Sequence, residues 1–383
     1  MHVDKRLKKA LVALAATIVT LCLLEGAARV YLVWLADEGT LSRYGTLEQI
    51  RKRGIPQRLS PHRYLGLYPT PGYVRGKNRH NALGYRGEEI LQPKPEGEFR
   101  IVCMGGSTTY SFPTEDYRLS YPFLLEEELK ARGFSRVEVI NAGAQGWTTL
   151  ETLIDFQIRT LDLAPDMIVV YHGSNDVRTL FVWPPDSYRG DSSGRRGPIA
   201  LDAPPERWIE SITLARAFMI RAGLSEPHNS LDHQMARGPK TYHAEEFARQ
   251  LARGSYPSGI FTEVSAADML EANPPIYFRR NLESLAILAR AHGIQTVLVT
   301  FASFPHSERD PLLASQEGAK ALEALNQITR DVAREQGVHI FDFAPRFPRD
   351  AEYFVDSQHF SERGTALQTE LIADYLVENH LIP

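Results

Sequence analysis

The chain has 383 residues, 43% of them hydrophobic and 23% charged, and a formal net charge of −4 at pH 7. That length holds one large domain with appendages or two modest ones, and the charge lacks the basic domain that a nucleic-acid partner would require. Two cysteines, Cys22 and Cys103, argue against a disulfide framework and against a Cys/His zinc cluster.

The N-terminus carries Lys5, Arg6, Lys8 and Lys9, followed by "ALVALAATIVTLCLL" with no charge from Ala10 to Leu24. Glu25 and Arg29 then interrupt, four apart and able to pair on one helix face, before "VYLVWLA" resumes. The first run alone is short for a spanning helix, whereas counting through Ala36 makes it long enough. Tyr31 and Trp34 then suit the membrane–water boundary. Three readings are open: an uncleaved signal anchor, a cleaved signal peptide, and an amphipathic helix of a soluble protein. The first is preferred, because no small-x-small site directly follows the apolar run, and Leu21 is bulky where a lipoprotein signal at Cys22 wants a small residue. Residues 1–36 are therefore read as a cytoplasmic tip and a single membrane span, with the body exported to the periplasm or cell surface.

Residues 37–98 are rich in Arg, Pro, Gly and Tyr and show no clear amphipathic period. They read as a connecting region of extended segments and turns packed on the main domain. From Phe99 onward, short apolar runs alternate with helical patterns, the signature of a parallel α/β sheet. The predicted strands are 99–104, 136–141, 167–172, 295–301 and 338–343. Helices are predicted at 121–132, with Pro122 in the first turn, from Leu150 to Leu161 after a Thr148/Thr149 cap, and from Ile276 to His292. Two more carry Leu322 to Val332 and, from Ser361 on, Leu367 to Leu376; glycines and caps punctuate them. Residues from about 181 to 275 break the alternation. They read as an insertion leaving the carboxyl edge of the sheet, where ligands bind in open α/β folds, and are assigned as a substrate-side cap.

Four short blocks follow strand ends: Gly105-Gly106-Ser107, then "NAGAQGWTT" with Gly143 and Gly146, then Gly173-Ser174-Asn175-Asp176, and finally "DSQHFS" with Asp356 and His359. In a parallel sheet all four lie on one edge. Acyl transfer needs such a set. A serine hydroxyl attacks well only if an imidazole takes its proton, and the imidazole needs a carboxylate to fix its tautomer. Asp356 and His359, three apart, can share one turn. The oxyanion needs donors, which the backbone N–H groups of Ser107 and Gly146 and the amide of Asn175 can supply. Each piece has a bland reading as well: Ser107 as a helix cap, Asn175 and Asp176 as a turn, Gly146 as a conformational need. His172 reads as a buried strand-end histidine, and His306 could touch substrate.

The set resembles the SGNH hydrolases, also called the GDSL esterases, over roughly residues 99–383. The resemblance implies a three-layer flavodoxin-like α/β fold with about five parallel strands and hydrolysis of acyl esters. It further implies Ser107 as nucleophile, His359 as base, Asp356 as its orienter, and Ser107, Gly146 and Asn175 as the oxyanion hole. The family's Gly-Asp-Ser is here Gly105-Gly106-Ser107, lacking the aspartate. In that respect the chain looks more like the membrane-anchored bacterial branch, some of whose relatives act on surface polysaccharides. The expectation is a membrane-anchored serine esterase, needing no metal and no organic cofactor, acting on acyl groups, O-acetyl among them, of a glycan or related substrate. An O-acyltransferase for a surface polysaccharide and a catalytically silent glycan-binding scaffold stay open beside it.

Overall fold

The computed structural model describes residues 5–54, 58–182, 185–191, 207–225, 264–304 and 310–383. The chain divides into two compact units, residues 1–56 with 199–236, and residues 57–198 with 237–383.

In the first unit a helix runs over Lys5–Val30 and continues as a π-helical turn over Tyr31–Leu35. It is long and apolar enough to cross a membrane, and its side chains are not buried over Lys5–Val30. Residues 37–54 do not form the expected extended segments. They hold two seven-residue helices, Glu38–Tyr44 and Leu47–Arg53. Helices this short display no amphipathic period; caps set them instead. Asp37 accepts the Thr40 N–H at 2.9 Å, while the Thr46 N–H donates to Gln49 Oε1 and the Gln49 N–H to Thr46 Oγ1, a reciprocal capping box. Leu41 and Ile50 bury themselves with Leu32 and Ala36. The helix Thr213–Arg221, a described part of the inserted segment, belongs to this same unit. Most of the remaining 181–275 stretch, including the bulk of the region assigned as a cap, lies outside the described residues.

The second unit is built on five parallel strands: β1 (Phe99–Gly105), β2 (Val137–Gly143), β3 (Met167–Tyr171), β4 (Gln295–Val299) and β5 (His339–Phe341). Their order is 2-1-3-4-5, the flavodoxin-like arrangement, so the predicted fold class holds. The central strands are apolar over most of their length because helices cover both faces; Ile101 to Met104 and Met167 to Val169 are fully buried, and Arg100 near the start of β1 is buried in ion pairs with Glu98 and Glu138. The helices that flank the sheet or follow its strands include α1 (Ser107–Tyr110), α2 (Tyr121–Ala131), α3 (Thr149–Asp155), α4 (Ser174–Leu180), α5 (Ile276–Ala291), α6 (Gln316–Gln336) and α7 (Glu362–Glu378). One layer pairs α2 with α7, and the other packs α5 on α3 and α6.

Register is what makes the carboxyl edge level. Gly105 pairs with Gly143 on one side and Tyr171 on the other, Tyr171 with Val299, and Val299 with Phe341. Each strand therefore delivers its following loop to one rim. Before the sheet begins, antiparallel hairpins occupy Leu59–Pro69 and Val74–Arg79.

Candidate active site

Ser107 is the first residue of α1, immediately past β1. Its backbone N–H thus has no acceptor within its own helix. The turn is tight enough to forbid side chains nearby. A Cβ on Gly143 would sit 2.2 Å from the Tyr110 backbone nitrogen, so α1 crosses the end of β2 only because that residue is glycine.

His359 comes from the loop before α7 and reaches the same point. Its Nε2 lies 2.8 Å from Ser107 Oγ, and its Nδ1 lies 2.6 Å from Asp356 Oδ2. The other carboxylate oxygen, Oδ1, accepts the backbone N–H groups of Gln358 at 2.9 Å and His359 at 2.8 Å. Burial by itself would raise the Asp356 carboxyl. The bond to the His359 ring, its attraction and the two backbone donors outweigh that and hold the group below the usual carboxylate range. Phe112 meets the imidazole edge-on at 5.2 Å, closing one side of the ring. Hydroxyl, imidazole and carboxylate in this order can pass the serine proton to the ring as the oxygen attacks a carbonyl carbon.

Asn175 is the second residue of α4. Its Nδ2 donates to the Trp147 carbonyl at 2.9 Å, which leaves its second N–H for another acceptor. The amide lies directly over Gly106: a Cβ built there would be 2.8 Å from Nδ2 and 3.3 Å from the Trp147 carbonyl oxygen. Gly106, standing where the resembling motif has aspartate, thus packs against this amide with no side chain between them. Gly146, at φ +78°, sits in the turn that the Trp147 N–H closes onto the Ala144 carbonyl at 3.3 Å. That backbone conformation favours glycine.

The structure therefore brings Ser107, His359 and Asp356 into one hydrogen-bonded chain, sets Asn175 beside Gly106, and puts Gly146 next to the residue that holds Asn175. His306 lies outside the described residues. His172 is buried and faces Thr152 Oγ1 at 2.7 Å; burial pushes it down to about 3, so it stays neutral. Asp176 is its neighbour at 3.6 Å. It accepts the Thr149 N–H and hydroxyl at 3.0 and 2.7 Å, tying the start of α3 to α4, and burial pushes its carboxyl up to about 7.

Sequence reading expected residues 37–98 to pack on the main domain but named none of the contacts by which residues 58–98 brace the rim. The buried Trp147 indole donates to the Leu67 carbonyl at 2.7 Å, so a hairpin ahead of the sheet anchors the residue that anchors Asn175. Below α1, the Tyr110 hydroxyl meets Asn78 Nδ2 at 3.1 Å and His80 Nε2 at 3.0 Å. The Arg86 guanidinium stacks over the Tyr110 ring at 4.3 Å and donates to the Tyr110 and Thr114 carbonyls. Arginines and aromatics clustered in a segment without period were the available signal, since such a segment must find its partners elsewhere. No group of His, Cys, Asp and Glu suited to a metal ion occurs among the described residues.

No protein-family model matches the sequence, and no curated protein matches it. Among solved structures the chain is similar to a lipase/acylhydrolase from Enterococcus faecalis, at 18% identity over 73% of this chain and 95% of that one, with a TM-score of 0.41. A GDSL-like lipase from Bacteroides thetaiotaomicron aligns at 15% identity over 76% and 93%, TM-score 0.41. An acetyl xylan esterase from Geobacillus stearothermophilus aligns at 15% identity over 74% and 94%, TM-score 0.40.

Proposed function

We propose that the chain is a serine hydrolase of carboxylic esters, held in a membrane by its N-terminal helix. The observation that carries this reading is the continuous relay from Ser107 Oγ through His359 to Asp356, at 2.8 and 2.6 Å. Ser107 Oγ attacks the ester carbonyl carbon while its proton moves to His359 Nε2. Asp356 stabilises the imidazolium, and the N–H groups of Ser107 and Gly146 with the Asn175 amide receive the oxyanion. Collapse breaks the bond to the alcohol, which leaves with the proton from Nε2. Water then repeats the sequence on the acyl-serine and regenerates the hydroxyl.

The substrates are O-acyl esters, O-acetyl first, of a glycan outside the cytoplasm, the class implied by the resemblance to membrane-anchored relatives. Lys5, Arg6, Lys8 and Lys9 in the first turns of the helix, ahead of its apolar run, support a cytoplasmic N-terminus with the second unit exported.

The test is Ser107→Ala in the full chain, assayed with an activated short-chain acetyl ester. Turnover falls to background while circular dichroism is unchanged, and a fluorophosphonate probe that labels the wild type no longer reacts. Wild-type turnover in the variant would overturn the mechanism. Incubation with acyl donor and glycan together then separates hydrolysis from transfer by whether free acid or acylated sugar accumulates.

A further inference from the structure

The helix Thr213–Arg221 in the first unit departs from the usual order of a helix in water at Arg216 and Phe218. Its packed positions are Thr213, Arg216 and Met219. The Arg216 guanidinium donates to the Gly45 carbonyl at 2.8 Å and lies 3.6 Å from the Glu210 carboxylate. Leu214 and Phe218, four apart on one face, are exposed, Phe218 by 69%. Trp208 is 79% exposed, and Ile212 and Leu224 are also exposed. A surface helix in water turns its apolar stripe inward and its polar face out. Here a buried arginine and an outward phenylalanine reverse that order, which suits hydrocarbon as the solvent.

Depth along the N-terminal helix agrees. At 1.5 Å per residue, the twenty residues from Lys9 to Arg29 span about 30 Å, the thickness of a bilayer's hydrocarbon. With the basic cluster at one headgroup layer, Arg29 reaches the other. Glu25 lies one turn inward, where a lone carboxylate is costly, and it is not alone. It accepts Arg29 Nε at 2.7 Å and the backbone N–H groups of Thr213 and Leu214 at 2.8 and 3.0 Å. Arg29 Nη2 in turn donates to the Ser211 carbonyl at 2.9 Å. These bonds fix residues 211–214 at the level of Glu25 and Arg29, in the belt where tryptophan and tyrosine concentrate. Tyr31, Trp34 and Leu35 are exposed in the turns just beyond.

We propose that residues 207–225 form an interfacial membrane element, docked on the spanning helix through Glu25. Trp208, Leu214 and Phe218 lie in the acyl–headgroup boundary of the leaflet from which that helix emerges. The inference rests on the membrane-anchor reading of the N-terminal helix. Lipid is the occupant because the bonds to Glu25 and Arg29 hold this face beside a helix whose own apolar side chains, Leu21, Leu24, Tyr31 and Trp34 among them, are exposed.

The test uses the full chain carrying Cys22→Ser and one nitroxide-labelled cysteine, at Ile18, Trp208, Phe218 or Glu127. Each variant is reconstituted into vesicles of phosphatidylcholine with a minority of phosphatidylglycerol, and retained ester turnover verifies its fold. Labels at positions 208 and 218 collide with dissolved oxygen in preference to a water-soluble nickel chelate, as the mid-span label at 18 does, while the label at 127 shows the opposite preference. If 208 and 218 behave like 127 while 18 stays oxygen-accessible, the interfacial element is refuted and the anchor stands. If 18 is also chelate-accessible, the anchor reading falls and takes the inference with it. A second measurement avoids the labels. Brominated lipids quench the emission difference between the wild type and Trp208→Phe by about twofold, and an unquenched difference overturns the assignment.

Discussion

Replacing Asp356 by asparagine isolates the orienting role of the carboxylate from its role in holding the loop. Asp356 accepts three hydrogen bonds, two on Oδ1 from backbone N–H groups and one on Oδ2 from the ring. An asparagine can keep Oδ1 on the two backbone donors only by placing its NH2 against His359 Nδ1. The reverse orientation would leave two N–H groups facing an NH2, at about 1–3 kcal/mol each. Switching the imidazole tautomer costs less, so the ring yields. It then presents Nε2–H to Ser107 and has no lone pair to take the serine proton. Triads altered in this way lose roughly four orders of magnitude in kcat, about 5 kcal/mol of barrier. The assay is kcat for an activated acetyl ester in Asp356→Asn beside the wild type, with urea unfolding as the control on the loop. Loss of less than tenfold in kcat would refute Asp356 as the group that sets the tautomer. The acid limb of stability adds an independent arm. The folded carboxyl is held below its unfolded value, so its contribution is present above the unfolded pKa and is lost as pH falls through the folded one. Below about pH 4 the wild type loses stability that the asparagine variant never had, and its curve is the steeper.

Asn175→Ala removes one oxyanion donor and lowers kcat by about 10²–10³ with KM little changed; a kcat within about threefold of wild type would remove Asn175 from the site. Trp147→Phe leaves the Leu67 carbonyl without its indole donor and costs about 2 kcal/mol in urea unfolding, whereas a loss under about 0.5 kcal/mol would show that the hairpin does not brace this loop. Asp176→Asn tests a buried acid. Burial raises the folded carboxyl to about 7, so the wild type's advantage is present below the unfolded pKa and fades as pH rises toward 7. Measured by unfolding at acid and neutral pH, the variant lacks that decline; identical pH slopes in the two proteins would contradict the assignment.

The sheet was legible because each strand is a short apolar run set between helical patterns, and a buried parallel sheet demands that pattern. Ser107, Asn175, Asp356 and His359 were legible for a related reason: a parallel sheet converts four separated loops into one rim, so sequence order already implies neighbourhood. The helices Glu38–Tyr44 and Leu47–Arg53 were not, since two turns give no period, and only Asp37 and the Thr46/Gln49 pair announced them. Nor was the bracing of the rim by Leu67, Asn78, His80 and Arg86. Those contacts are made by backbone carbonyls and buried polar tips, and nothing in a linear chain says which carbonyl a distant indole will find.

The hydroxyl and the ring that face each other are 252 residues apart in the chain. A polypeptide emerging from the ribosome therefore carries its reactive oxygen for most of its synthesis with no imidazole beside it. Under the proposed mechanism chemical competence arrives late, with the segment that leads into the last helix, and a chain truncated before position 359 is expected to be inert at this rim however well its first strands have formed.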